Sequence, residues 1–162
     1  MALLPRRAPA AVRAVAVPPA ERRTAWATTA SGEVVVATDQ ALLLPGGQRL
    51  PWAGVEHVTW RLPELTVTEV AEVQGAGAVH VLRLEDADGL PAEVRTRVTG
   101  SVAWSSHERL SPAGGVRVVG RRVPGAEVLT WQLVYDAGTD RGDPLVRAQA
   151  EALLEGARRT IG

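Results

Sequence analysis

Three histidines, His57, His80 and His107, are the only imidazoles in this 162-residue chain, and there is no cysteine. Each histidine falls in a separate strand-like stretch, and three strands can converge on one ion. The local pairs that mark zinc sites, H-x-x-x-H and H-x-E, are absent, so the expectation is surface or hydrogen-bonded histidines and no metal. Ser105-Ser106-His107-Glu108 places a hydroxyl, an imidazole and a carboxylate side by side. Adjacent residues of a strand point to opposite faces, so Ser106 and His107 cannot meet there, and no G-x-S-x-G elbow supports a hydrolase. Asp136, Asp140 and Asp143, spaced by glycines, resemble a calcium loop. Arg141 and Arg147 stand where an EF-hand needs its glycine and its bidentate glutamate, so a turn ending in a helix cap is expected to account for all three aspartates.

Glycine clusters are read in the same way. Gln74-Gly75-Ala76-Gly77 and Gly114-Gly115 each lead into a strand, whereas a phosphate-cradling loop leads into a helix. Both are expected to be hairpin turns. With no catalytic constellation in view, the chain is expected to be a non-enzyme with no cofactor.

Arginine carries the affirmative lead. All 18 basic residues are arginine; lysine is absent. That excludes a Walker-A lysine, a Schiff base and a kinase-type lysine, while the missing cysteine excludes thiol nucleophiles, disulfides and thiolate metal sites. Arg95 and Arg97 fall on a middle helix, Arg109 and Arg117 on neighbouring strands, and Arg121 and Arg122 at a strand end. If several of these six share one surface, their planar forks suit phosphate or carboxylate groups. Glu93, Glu108 and Glu127 stand close in sequence and favour instead a solvated face of mixed charge.

The 18 arginines are balanced by 18 acidic residues. No global field then draws the chain to nucleic acid, and no nucleic-acid partner is expected. Arginine-only basicity with abundant Ala, Val, Gly and Leu is what GC-rich codons supply, which points to a bacterial source. Prolines 5, 9, 18 and 19 and arginines 6, 7 and 13 interrupt any apolar run near the start, so residues 1–20 are expected to be a partly flexible lead and not a targeting peptide. No transmembrane run occurs elsewhere, and a cytoplasmic location is expected.

The elements that position these residues follow from periodicity. After a short helical turn around residues 10–15, two apolar runs at 32–37 and 41–44 flank Thr38-Asp39-Gln40, which predicts a hairpin. Strands are expected at 55–62, 65–70 and 78–85, giving five or six in a meander. Five tryptophans, in a chain without phenylalanine, must supply most of the aromatic volume of the core. Leu90, Val94, Val98 and Val102 recur every four residues and predict a helix over 90–102. Strands return at 103–110, 116–123 and 128–135. Asp143 and Pro144 then suit the N-cap and first position of a final helix over 143–160, with a stripe of Val146, Ala150, Leu153, Ala157 and Ile161. The expected fold class is α+β and strand-rich: one domain over 21–162, an antiparallel bent sheet or partly open barrel with a middle and a C-terminal helix.

Val34-Val35-Val36-Ala37-Thr38-Asp39 feeding a second apolar strand, then Leu50-Pro51-Trp52 followed by Val55 and Val58, resembles the front half of bacterial pleckstrin-homology-like domains. The likeness covers residues 20–85, and more narrowly is to small proteins of high-GC actinomycete-type bacteria. It implies a bent seven-stranded barrel closed by one C-terminal helix; here a helix, three strands and a second helix follow, so either the family pattern carries an insertion or residues 90–102 are partly strand. Phosphoinositide-binding members keep a basic loop between their first two strands. The matching turn here, Ala30-Ser31-Gly32-Glu33, has no positive charge, and inositol-lipid binding is not expected. The function expected is a non-catalytic binding or scaffold domain that offers a sheet and its C-terminal helix to a protein partner or a second copy. The alternative is a binder of a small anionic ligand through clustered arginines.

Overall fold

The structure, a computed structural model, describes residues 7–71 and 76–162. It is α+β and strand-rich, and its contacts group into two compact units, Met1–Arg97 and Val98–Gly162.

The first unit begins with α1 (Ala10–Ala14), whose Val12 is fully buried against Val36 and Leu43. The lead is thus anchored through Val12, with Ala8, Val15 and Val17 packed around it. Strands β1 (Arg23–Thr29), β2 (Val34–Thr38), β3 (Ala41–Leu43) and β4 (Arg49–Pro51) form one antiparallel meander, and β5 (Val55–Arg61), β6 (Glu64–Glu69) and β7 (Val79–Asp86) a second. They make one seven-stranded sheet in the order β4-β3-β2-β1-β7-β6-β5, left open between β4 and β5. The sequence pattern misses β4 because three residues ending in a proline carry no alternation of their own. The turn expected over residues 74–77 lies partly outside the described residues.

Register explains the core. Trp60, Leu65 and Leu82 are cross-strand partners, as are Val58, Val67 and His80. Leu65 and Val67 are fully buried on that face, while Thr59, Thr66 and Val81 share the opposite one. The β2–β3 turn is fixed by side chains: Thr38 Oγ1 accepts from the backbone N–H of Gln40 and Ala41 and donates to Glu21 Oε2 at 2.7 Å. Arg49 Nε and a terminal guanidinium nitrogen donate to the other oxygen of that buried carboxylate. Trp52 Nε1 donates to the Thr38 carbonyl at 3.1 Å.

Helix α2 (Leu90–Ser101) follows β7 after Gly89, whose φ of 82° suits a residue without Cβ. Leu90 and Val94 are fully buried, the four-residue spacing the sequence predicts. The segment is helical through Ser101, and strand begins at the next residue.

The second unit holds β8 (Val102–Arg109), β9 (Gly115–Arg122) and β10 (Leu129–Tyr135) in a separate antiparallel sheet, order β10-β9-β8, and α3 (Pro144–Ile161). Asp143 caps α3, its Oδ1 accepting from the Leu145 N–H at 2.8 Å, with Pro144 at the first position. Val146 and Ala150 pack on Val116 and Leu110, with Leu133, Tyr135 and Leu153 around them. Among the described residues, no helix is long and apolar enough to cross a membrane.

Candidate functional site

The two faces of the second sheet have different chemistry, and the register assigns each residue to its side. Trp104, Gly120 and Trp131 are cross-strand partners on one face, followed along it by Ser106, Val118 and Leu133. A Cβ on Gly120 would lie 3.1 Å from the Trp131 ring; glycine lets that ring lie over the sheet and meet Trp104 edge-on, centroids 5.6 Å apart. Helix α3 packs over β9 and β10. Beside it, along edge strand β8, runs a groove of about 350 Å³ walled by Trp104, Val118, Leu153, Gly156, Ala157 and Ile161. Trp104 is half-buried and Ile161 is 43% exposed, so apolar surface remains open to solvent at the rim. Ser106 donates to Glu108 Oε1 at 2.7 Å at its polar edge, on the face opposite His107.

The opposite face is polar at one end. His107 pairs across the ladder with Arg117, and Arg109 with Gly115, which sets His107, Arg109 and Arg117 on one side. Asp136, just beyond β10, reaches the same side and lies 2.7 Å from His107 Nε2 through Oδ2. Gly115 makes the room: a Cβ there would sit 2.3 Å from that Asp136 oxygen. Thr139 Oγ1 bonds both the N–H and the carbonyl of Gly115 and holds the turn in place. All four side chains are well exposed, His107 at 41% and Asp136 at 45%.

The structure sorts the six arginines. Arg95 and Arg97 stand on opposite sides of α2 in the first unit; Arg97 Nε donates to Glu93 Oε1 at 2.7 Å, and Arg95 is exposed. Burial is the largest single influence on the Glu93 carboxyl and raises it, but the hydrogen bonds from Arg97 and Thr24 together with the Arg97 charge hold it below its ordinary value. In the second unit Arg121 is buried, donating to the Val98 carbonyl, to Ser101 Oγ and to Gln132 Oε1. A cation on the last carbonyls of α2 satisfies groups that a helix end leaves open. Arg122 points to the other face. Arg109 and Arg117 share one exposed surface, and among the described residues neither has a partner for its guanidinium.

Two features escape sequence reasoning. Asp136, read as part of a turn, is 29 positions from the histidine it holds; the other two aspartates are turn and cap residues, Asp140 accepting from the Gly142 N–H and Asp143 capping α3. In the first unit His80 Nε2 lies 2.5 Å from Glu69 Oε1, which also accepts from Gln48 Nε2. A cavity of about 540 Å³ opens there, with Ser31, Glu33, Gln48, His80 and Arg83 in its lining. Ser31 donates to Glu33 Oε2 within the first turn of the sheet, so the charge that turn contributes is negative. Among the described residues, no group of three or more His, Asp or Glu could hold a metal ion.

Comparison with known proteins returns no matching family model, no matching curated protein and no matching solved structure.

Proposed function

We propose that this chain is a non-catalytic binding module that takes a protein partner in the groove between β8 and α3. The observation that carries this reading is the groove itself, where half-buried Trp104 and the exposed end of the α3 stripe at Ile161 leave apolar surface beside an unpaired strand edge. Apolar walls and an aromatic anchor are what partner-binding surfaces concentrate at their centre.

In the same reading the first unit is of pleckstrin-homology-like build. Support comes from two antiparallel meanders, β1–β4 and β5–β7, joined through β1 and β7 and followed directly by α2. The middle helix then plays the part of the family's single C-terminal helix, and the second sheet with α3 is an addition after it. The reading keeps the cytoplasmic bacterial setting expected from the composition.

The test is photocrosslinking in the source cell with a photoreactive residue at position 161. A discrete adduct with one protein, absent when the probe stands at position 128 (Val128 is 70% exposed and outside the groove), is the expected outcome. Equal labelling from both positions, or none from 161, overturns the reading.

A further inference from the structure

We infer that the polar face formed by Arg109, Arg117, His107 and Asp136 is a binding site for the phosphoryl group of a small phosphomonoester. The inference does not rest on the apolar groove, which lies on the other face of the same sheet.

Geometry comes first. Arg109 and Arg117 are diagonal neighbours on one face of the β8–β9 ladder, two residue pairs apart in register. Diagonal positions on one face are separated by roughly 7–8 Å, within reach of long side chains. Two arginine side chains standing on one face of adjacent strands can each offer a fork to an oxygen of one phosphoryl group through charge-assisted hydrogen bonds. Neither fork is engaged by another described residue, in contrast to Arg97 and Arg121. Gly115, opposite Arg109, carries no side chain, and the room this leaves is taken by the Asp136 carboxylate and His107 Nε2, which stand beside the two arginines.

His107 supplies orientation. Asp136 holds its Nε2, which leaves Nδ1 as the ring's remaining polar atom, able to accept a hydrogen bond from the hydroxyl of a phosphate monoanion. Asp136 also sets the charge of the ligand. Its carboxylate offsets one of the two guanidinium charges, so the fixed charge of the cluster suits one phosphoryl group and is too small to favour a polyphosphate chain or a nucleic-acid backbone.

Arg122 provides the control, because it lies on the same strand, is exposed, and points to the opposite face. Removing it changes the net charge as much as removing Arg117 does. Calorimetric titration of the full chain with phenyl phosphate should show saturable binding. Arg109→Ala and Arg117→Ala should each weaken that binding by about tenfold or more, with Arg122→Ala close to the parent. Inorganic phosphate should compete. Three results overturn the inference: no saturable binding, equal loss in Arg122→Ala, or tighter binding of tripolyphosphate than of phenyl phosphate. Capture by phosphatidic-acid vesicles without binding of phenyl phosphate also overturns it, since the ligand would then be a membrane surface.

Discussion

Asp136 Oδ2 and His107 Nε2 meet at 2.7 Å across the face of a three-stranded sheet, over a backbone position that carries no Cβ. The pair depends on Gly115 as much as on its own two members. Gly115→Ala should separate them, because the new methyl carbon would lie 2.3 Å from the carboxylate oxygen, far inside van der Waals contact. The cost should be about 1–3 kcal/mol, the range for forcing a side chain into occupied space. Denaturant unfolding gives the cost, and the imidazole resonances of His107 report whether the pair has parted.

The buried Glu21 carboxylate is held by Thr38 and Arg49. Replacing Arg49 by methionine keeps most of the packing volume and leaves that charge without its cation. Loss of one partner of a buried pair costs on the order of 3 kcal/mol, reduced here because Arg49 is partly exposed. Adding Glu21→Gln to Arg49→Met should restore part of the stability, since an amide tolerates burial better than a lone carboxylate. A double-mutant cycle measured by chemical unfolding tests both statements.

The chain has one tyrosine, so its phenolate can be followed without overlap. Burial, then the nearby Glu151 carboxylate, raises the Tyr135 hydroxyl above its ordinary value, against the opposing pull of Arg141 and Arg147. Arg141 sits 5.2 Å from the ring centroid. A raised folded-state value gives stability that is full below the unfolded value and is lost as pH rises through the folded one. An alkaline absorbance titration should have its midpoint above about 10, and Glu151→Gln should lower that midpoint. A midpoint at or below the unfolded value refutes this assignment.

Asp39 behaves with the opposite sign. The backbone N–H of Arg22, 2.8 Å from Oδ1, holds its carboxyl below the ordinary value. Its contribution is present above the unfolded value and is lost as pH falls through the folded one. Thermal melts of the parent and Asp39→Asn should therefore differ at neutral pH and converge as the pH drops below about 4.

Much of this architecture is written in local sequence. Asp143 followed by Pro144 places the start of α3 because a cap and a ring-fixed φ act within one turn. Leu90 and Val94 place α2 by their spacing alone, though the valines disfavour helix. The six arginines are legible as far as their own helix or strand and no further. Alternation separates Arg121 from Arg122, but which of them is buried depends on where the last turn of α2 ends, which no window around residue 121 contains. Arg109 and Arg117 meet because of the β8–β9 register, and His107 finds Asp136 because a third strand closes the gap. Those relationships arise between elements, and periodicity describes only positions within one.

The seven-stranded sheet has a single seam. Five of its six pairings join strands that follow one another in the chain; the sixth, β1 with β7, rests on Thr28 with Asp86 and Thr29 with Leu84. Each meander can form through short hairpins, whereas the seam must close the whole intervening chain and bears that entropy on two residue pairs and one further backbone bond, from the Ala30 N–H to the Arg83 carbonyl. The slow event in assembling the sheet is then the meeting of residues 28–29 with 84–86. In the native state the same place is where the amides should exchange earliest within the sheet, as the two meanders part along a line that neither hairpin register can hold.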